Sequence, residues 1–148
     1  METFIVYVND ADHAQRQVVP LLQDRSGDHW VLVACPPRLN RHSGRWVSQP
    51  ALRRWKQEWA RDNLRDLVAL IEGRDNKAST RVAHGDLVAF TRQLRGELGA
   101  ARILDARRPK VGVTLEAVTP EQPAEQQGAL AAAGGALALG ALIALATE

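Results

Sequence analysis

Short apolar blocks alternate with longer amphipathic blocks over the first 106 residues of the chain. Four short runs, rich in β-branched and other apolar residues, predict strands at residues 3–8, 29–35, 78–83 and 101–106. The first two runs are apolar at nearly every position, which is typical of strands buried on both faces, as in a parallel sheet.

Apolar residues recur at helical spacing in the three blocks between these runs, which predicts helices from about residue 11, over 50–71 and over 87–98. Either Asp10 or Asp12 is expected to cap the first helix, and Pro20 to kink or shorten it. Strands that alternate with helices indicate an α/β fold with a parallel sheet and right-handed crossovers. Residues 111–118 are a candidate for one further strand.

The closing stretch, residues 128–146, contains nineteen residues without a charge or a polar side chain. As a helix it would be about 28 Å long, close to the hydrocarbon thickness of a bilayer. Small residues recur at every fourth position and would form a stripe for close helix packing: Gly128, Ala132, Ala136, Gly140 and Ala144. We expect a C-terminal membrane anchor in the inner membrane, with the domain on the cytoplasmic side. The alternative is a cytoplasmic protein whose tail packs on the domain or in an oligomer.

Length and composition fit one α/β domain with a tail, since 45% of the 148 residues are hydrophobic and 24% are charged. We divide the chain into a domain at 1–118, a polar linker at 119–127 and the apolar helix at 128–146. The single cysteine, Cys35, excludes an intrachain disulfide and favours a reducing compartment. The N-terminal residues lack the pattern of a secretory signal.

Several segments of this domain are similar to a known family. They are IVYVND, WVLVACPP, the long helix up to Gly73, and RVAHGDLVAFTRQLRGELGAARILDA. Over residues 3–106 the chain resembles the universal stress protein family, which implies a three-layer, Rossmann-like domain with a parallel sheet. The resemblance also implies an adenine-nucleotide site to which Asn9 or Asp10 and Gly85 would contribute.

The segment after the fourth predicted strand departs from that family. Its ATP-binding members have a glycine-rich loop there, because glycines let backbone N–H groups approach and hold phosphates. Residues 105–112 contain one glycine and leave no room for such a loop. The chain therefore resembles a divergent member, and the sequence favours neither ATP nor another adenine nucleotide as cofactor.

Polar residues at the predicted carboxyl ends of the strands are the candidates for any small-ligand site: Asn9, Asp10, Cys35, His84, Gly85 and Asp105. The alternative interpretation is that these are capping and turn residues without a ligand. The histidines and the lone cysteine lack metal-ligand spacing, and no nucleophile motif is present. We predict neither a metal site nor enzymatic activity.

Basic residues are concentrated at 38–65, with eight Lys or Arg against two acidic residues. On the long predicted helix they accompany two tryptophans: Arg53, Arg54, Trp55, Lys56, Trp59 and Arg61. Such a face can meet anionic lipid or an acidic partner, whereas nucleic acid would need a broader patch. It can also be a solvated face with the tryptophans in the core. A second basic cluster occupies residues 107–110.

Together these patterns predict a non-enzymatic, membrane-tethered accessory or binding protein that acts through protein–protein contacts, with a protein partner or its own copy. The alternative is a soluble stress-response protein that binds a nucleotide and dimerises.

Overall fold

Four parallel strands form the centre of the structure, a computed structural model that describes residues 1–37, 48–109 and 115–120. Strands and helices alternate along the chain, in the order β1 (Thr3–Val8), α1 (Ala11–Leu22), β2 (His29–Ala34), α2 (Gln49–Glu72), β3 (Lys77–Val82), α3 (Leu87–Leu98) and β4 (Arg102–Asp105). The predicted α/β class and the predicted parallel sheet are therefore confirmed.

The strand order is β3-β2-β1-β4, so the direction of winding reverses after β3. Because crossovers between parallel strands are right-handed, this reversal places helices on opposite faces of the sheet. Helices α1 and α2 contribute to the core on one face, and α3 contributes to the core on the other. This three-layer arrangement is Rossmann-like.

Alternate residues of each central strand point into the two cores. Phe4, Val6 and Leu32 face α1 and α2, whereas Ile5 and Val31 face α3. At the amino end of the sheet the Trp30 ring stacks on that of Phe4, with centroids 4.1 Å apart. Burial on both faces explains the nearly continuous apolar runs of β1 and β2.

Capping side chains set the beginnings of the helices. Asp10, rather than Asp12, caps α1 by accepting a hydrogen bond from the backbone N–H of His13 at 3.0 Å. Ser48 and Asp86 cap α2 and α3 in the same way. Pro20 lies inside α1 and does not shorten it, since the helix continues to Leu22.

Residues 115–118, the described part of the predicted fifth strand, form no strand. The remainder of that segment, most of the linker, and the tail with its stripe of small residues lie outside the described residues. Among the helices that the structure describes, none is long and apolar enough to cross a membrane.

Candidate functional site

The carboxyl edge of the sheet contains the place where strand order reverses, between β1 and β4. In open parallel sheets, ligands bind in the crevice at this place. Asn9 and Asp10 follow β1 here, and Asp105 ends β4, as their positions in the sequence predicted. We call this region the switch point.

Asn9 joins the ends of β1 and β4 at the switch point. Its side-chain Oδ1 accepts a hydrogen bond from the backbone N–H of Arg108 at 2.6 Å, and its Nδ2 donates to the Arg108 carbonyl at 3.2 Å. Both polar ends of the Asn9 amide are therefore engaged by the segment that follows β4.

Asp10 is also engaged by neighbouring groups. One carboxylate oxygen caps α1, and the other lies 3.5 Å from an Arg108 guanidinium nitrogen. The hydrogen bond from the backbone of His13, assisted by Arg108, lowers the pKa of Asp10. The carboxylate is thus held ionised as a cap and as a partner of Arg108.

A buried ion pair, Asp105–Arg107, lies beside the contacts that Asn9 and Asp10 make with Arg108. Arg107 donates to both carboxylate oxygens of Asp105, at 2.7 and 2.8 Å, and also to the carbonyl of Glu116. The Arg107 and Asp105 side chains are only 4% and 5% exposed. Burial acts to lower the pKa of Arg107, but the hydrogen bonds and charge of Asp105 outweigh it and raise the pKa. Arg107, the first residue of the predicted basic cluster at 107–110, is therefore not a free surface charge.

Two potential nucleophiles close to this pair are held in their neutral forms. Burial raises the pKa of the Cys35 thiol to about 12 and that of the Tyr7 phenol to about 12. The Tyr7 hydroxyl is hydrogen-bonded to the hydroxyl of Thr91, which itself donates to the Leu87 carbonyl at 2.8 Å. At neutral pH neither group is a thiolate or a phenolate, the reactive forms.

Gly85 forms the turn between β3 and α3. Its φ of +66° lies in the left-handed region, which favours glycine, and a Cβ atom there would meet nothing within 4 Å. The adjacent Asp86 caps α3, and the His84 ring packs edge-on against Phe90 at 5.0 Å. Gly85 follows β3, and Asn9 follows β1. Because β2 lies between these two strands, they are two strand spacings, about 9.5 Å, apart.

The basic and aromatic residues of α2 divide between two surroundings. Trp59 is half-buried and packs against the core beneath α1 and α2, and Trp55 is half-buried as well. Arg54 is exposed. The other three predicted residues of this face border a groove: Arg53, Lys56 and Arg61.

This groove of about 800 Å³ follows the outer edge of β3, between α2 and α3, and we call it the β3-edge groove. Its apolar lining includes residues from both helices and from the end of the strand: Ala60, Leu64, Val68, Val82, Ala83, Phe90 and Leu94. Its charged residues are Arg53, Lys56, Arg61, Arg65, Arg81 and Glu97.

Sequence reasoning missed two features, the buried Asp105–Arg107 pair and the β3-edge groove. An Asp followed two residues later by an Arg at a strand end is a signal for the Asp105–Arg107 pair, since such side chains share one side of an extended chain. The groove had no local signal, because it depends on β3 being an edge strand. Among residues 1–37, 48–109 and 115–120, no three His, Cys, Asp or Glu side chains are grouped so as to hold a metal ion.

Comparison with known proteins finds no matching family model, no matching curated protein and no matching solved structure. The resemblance to universal stress proteins therefore stays a prediction that rests on the residues quoted above.

Proposed function

We propose that this chain is a non-enzymatic, membrane-tethered accessory or binding protein, similar to universal stress proteins, that acts through protein–protein contacts. The observation that carries this proposal is the pairing at the switch point. The side chains of Asn9 and Asp10 are engaged by Arg108 and by the α1 cap, and Arg107 is engaged by Asp105.

A phosphate group is held in such folds by unpaired backbone N–H groups and cations. Here the backbone N–H of Arg108 donates a hydrogen bond to the Asn9 side chain, and the Arg107 guanidinium is buried against the Asp105 carboxylate. A nucleotide would have to break these bonds before gaining its own. This supports recognition of a partner elsewhere on the domain.

Calorimetric titration with ATP, ADP and AMP tests the nucleotide part of the proposal. We expect no heat of binding at micromolar nucleotide concentrations. Binding in that range would contradict the proposed function and would favour the soluble, nucleotide-binding dimer.

One observation favours that second candidate. The Arg108 side chain is 64% exposed at the carboxyl edge of the sheet, where a phosphate could reach it. If any nucleotide binding is measured, the Arg108→Ala variant should abolish it, whereas Arg16→Ala, which changes an exposed arginine on α1, should not.

The membrane tether rests on residues 128–146 and is tested separately. Cells expressing the full chain, or the chain without residues 128–148, are divided into membrane and soluble fractions. We expect the full chain in the membrane fraction and the shortened chain in the soluble fraction. A full chain that stays soluble would overturn the tether while leaving the protein-contact part of the proposal in place.

A further inference from the structure

The outer edge of β3 presents backbone groups that pair with no described strand. On its inner edge, the N–H of Lys77 donates to the carbonyl of Asp28, just before β2, at 2.8 Å, and the N–H of Ala83, just after β3, donates to the carbonyl of Ala34 at the end of β2, at 2.9 Å. Backbone groups alternate between the two edges of a strand. The N–H and C=O groups of Ala78, Thr80 and Val82 therefore point outward from the sheet, and Thr80 and Val82 line the β3-edge groove.

The two helices beside this edge give the groove the shape of a channel for an extended chain. Helix α2 forms one wall and α3 forms the other, each wall contributes apolar side chains, and the edge of β3 forms the floor between them. The six residues of β3 extend about 20 Å, which is the length of a short added strand. An added strand would point successive side chains alternately at the two walls.

The charge along the groove is strongly positive, with five Lys or Arg side chains and one carboxylate among the lining residues. The carboxylate, Glu97, already lies 3.5 Å from Arg81. Among the described residues, Arg61 and Arg65 pair only with their exposed sequence neighbours Asp62 and Asp66, at 3.6 and 4.0 Å. Ion pairs this exposed contribute little, so the positive charge on the α2 wall is largely uncompensated.

We propose that the β3-edge groove binds an extended segment of a partner protein as an additional strand, and that this segment alternates acidic and apolar residues. The acidic side chains face the α2 wall, which carries four of the five cations, and the apolar side chains face Phe90 and Leu94 of α3. The inference rests on the proposed function and names the chemistry of its partner.

A second copy of the chain fits this groove less well. A two-fold axis through paired β3 edges would bring the same five cations of each copy together, and like charges in an interface oppose association. Charge complementarity therefore selects an acidic partner over self-pairing.

The first measurement uses a defined probe and the full chain in nonionic detergent. A fluorescent eight-residue peptide of alternating Glu and Val is titrated and its anisotropy followed, beside peptides with Gln or Lys in place of Glu. We expect the Glu peptide to bind about tenfold more tightly than the Gln peptide, and the Lys peptide not to bind, because rim charges select the partner. Equal binding of all three would overturn the proposed charge selection.

Charge-reversing variants locate the contact. The double variant Lys56→Glu, Arg61→Glu should weaken binding of the Glu peptide about tenfold or more. The matched control, Arg54→Glu with Arg92→Glu, changes net charge by the same amount on exposed residues of α2 and α3 that do not line the groove. It should bind the peptide nearly as well as the native chain. If both double variants lost the same peptide affinity, net charge alone would explain the loss, and the proposed site would be overturned.

Hydrogen exchange tests strand addition directly. In the free protein the outward amides of Ala78, Thr80 and Val82 should exchange fast, and the Glu peptide should slow them, while the paired amides of Ser79 and Arg81 stay slow throughout. Peptide binding without this protection would overturn strand addition. Concentration-dependent protection without peptide would overturn it in favour of a second copy.

Failure of this inference is distinguishable from failure of the proposed function. A photo-crosslinking residue is placed in the cell-expressed chain at Thr80, in the groove, or at Arg16, on α1. Crosslinks to a protein from position 16 alone would overturn the groove while leaving the proposed function standing. Micromolar nucleotide binding would instead overturn the proposed function.

Discussion

The Asp105–Arg107 pair is the most deeply buried ion pair among the described residues, and it holds the segment after β4 against the sheet. Such a pair contributes little net stability compared with apolar residues, but removing one partner leaves an uncompensated buried charge.

Asp105→Ala should therefore lower the free energy of unfolding by about 3–5 kcal/mol. The control, Arg108→Ala, removes an exposed ion pair at the same place and should cost less than about 1 kcal/mol. Urea unfolding of the two variants measures both values. If both variants lost the same free energy of unfolding, the cost of leaving Arg107 buried without its partner charge would be contradicted.

Alkaline pH should destabilise the domain through Cys35. Its folded pKa is raised to about 12 from 9.0, so above pH 9 the unfolded chain releases a proton that the folded chain retains. The stability present at neutral pH is therefore lost as pH rises from about 9 towards 12. Each pH unit in this range lowers the free energy of unfolding by about 1.4 kcal/mol, which gives a loss on the order of 2 kcal/mol by pH 10.5. Urea unfolding between pH 7.5 and 10.5 should show a shallower decline for Cys35→Ala; an unchanged slope would exclude the thiol as the cause.

Part of the switch point could be predicted from the sequence, since Asn9, Asp10 and Asp105 each follow or end an apolar run. The hydrogen-bond and ion-pair partners of these residues could not be predicted in the same way. Their partners are Arg107 and Arg108, and the bonds from Asn9 to Arg108 connect residues 99 positions apart. A basic cluster in a sequence does not reveal which member is buried.

Helix α3 begins at the Asp86 cap. The Asp86 carboxylate accepts a hydrogen bond from the backbone N–H of Ala89 at 3.0 Å. Asp86→Ala should lower the free energy of unfolding by about 1 kcal/mol, whereas Asp86→Asn, which keeps a capping oxygen, should change it by only a few tenths. Thermal and urea unfolding measure the difference. Equal effects of the two substitutions would assign the loss to something other than the cap.

The elements themselves were largely predictable because each has a local signal. β1 and α3 have the predicted bounds, α1 begins at the predicted residue, and β2, α2, β3 and β4 differ by one residue at one or both ends. Pro20 does not shorten α1 because it lies in the last turn, where only one backbone hydrogen bond is lost and the helix ends two residues later. Strand order has no local signal, so the edge position of β3, and with it the groove, needed the structure.

Both cores belong to one sheet, so the domain should unfold as a unit. Leu64, which is 1% exposed, packs in the core beneath α1 and α2. Leu64→Ala should cost about 2–5 kcal/mol without changing the dependence of unfolding on urea concentration. Leu52→Ala, near the exposed start of α2, is the control and should cost less. A second unfolding transition in Leu64→Ala would contradict a single cooperative unit.

At the scale of the whole molecule, the sequence predicted the class of fold, but the use of the domain stays a proposal. Residues 128–146, on which the tether depends, lie outside the described part of the chain. The edge of β3 that pairs with no described strand and the paired switch point are the features of the domain that most constrain what it binds.

The position of β1 in the sheet also has a consequence for synthesis on the ribosome. β1 pairs with β2, 26 residues later, but its other edge must wait for β4, which begins 98 residues after Phe4. Closing so long a separation is slow compared with local pairing. During translation, one edge of the most apolar strand therefore stays open until nearly the whole domain has emerged, and such edges attract chaperones. We expect nascent chains stalled before residue 102 to be bound by chaperones far more than chains stalled well after β4, which crosslinking of ribosome-bound chains can measure.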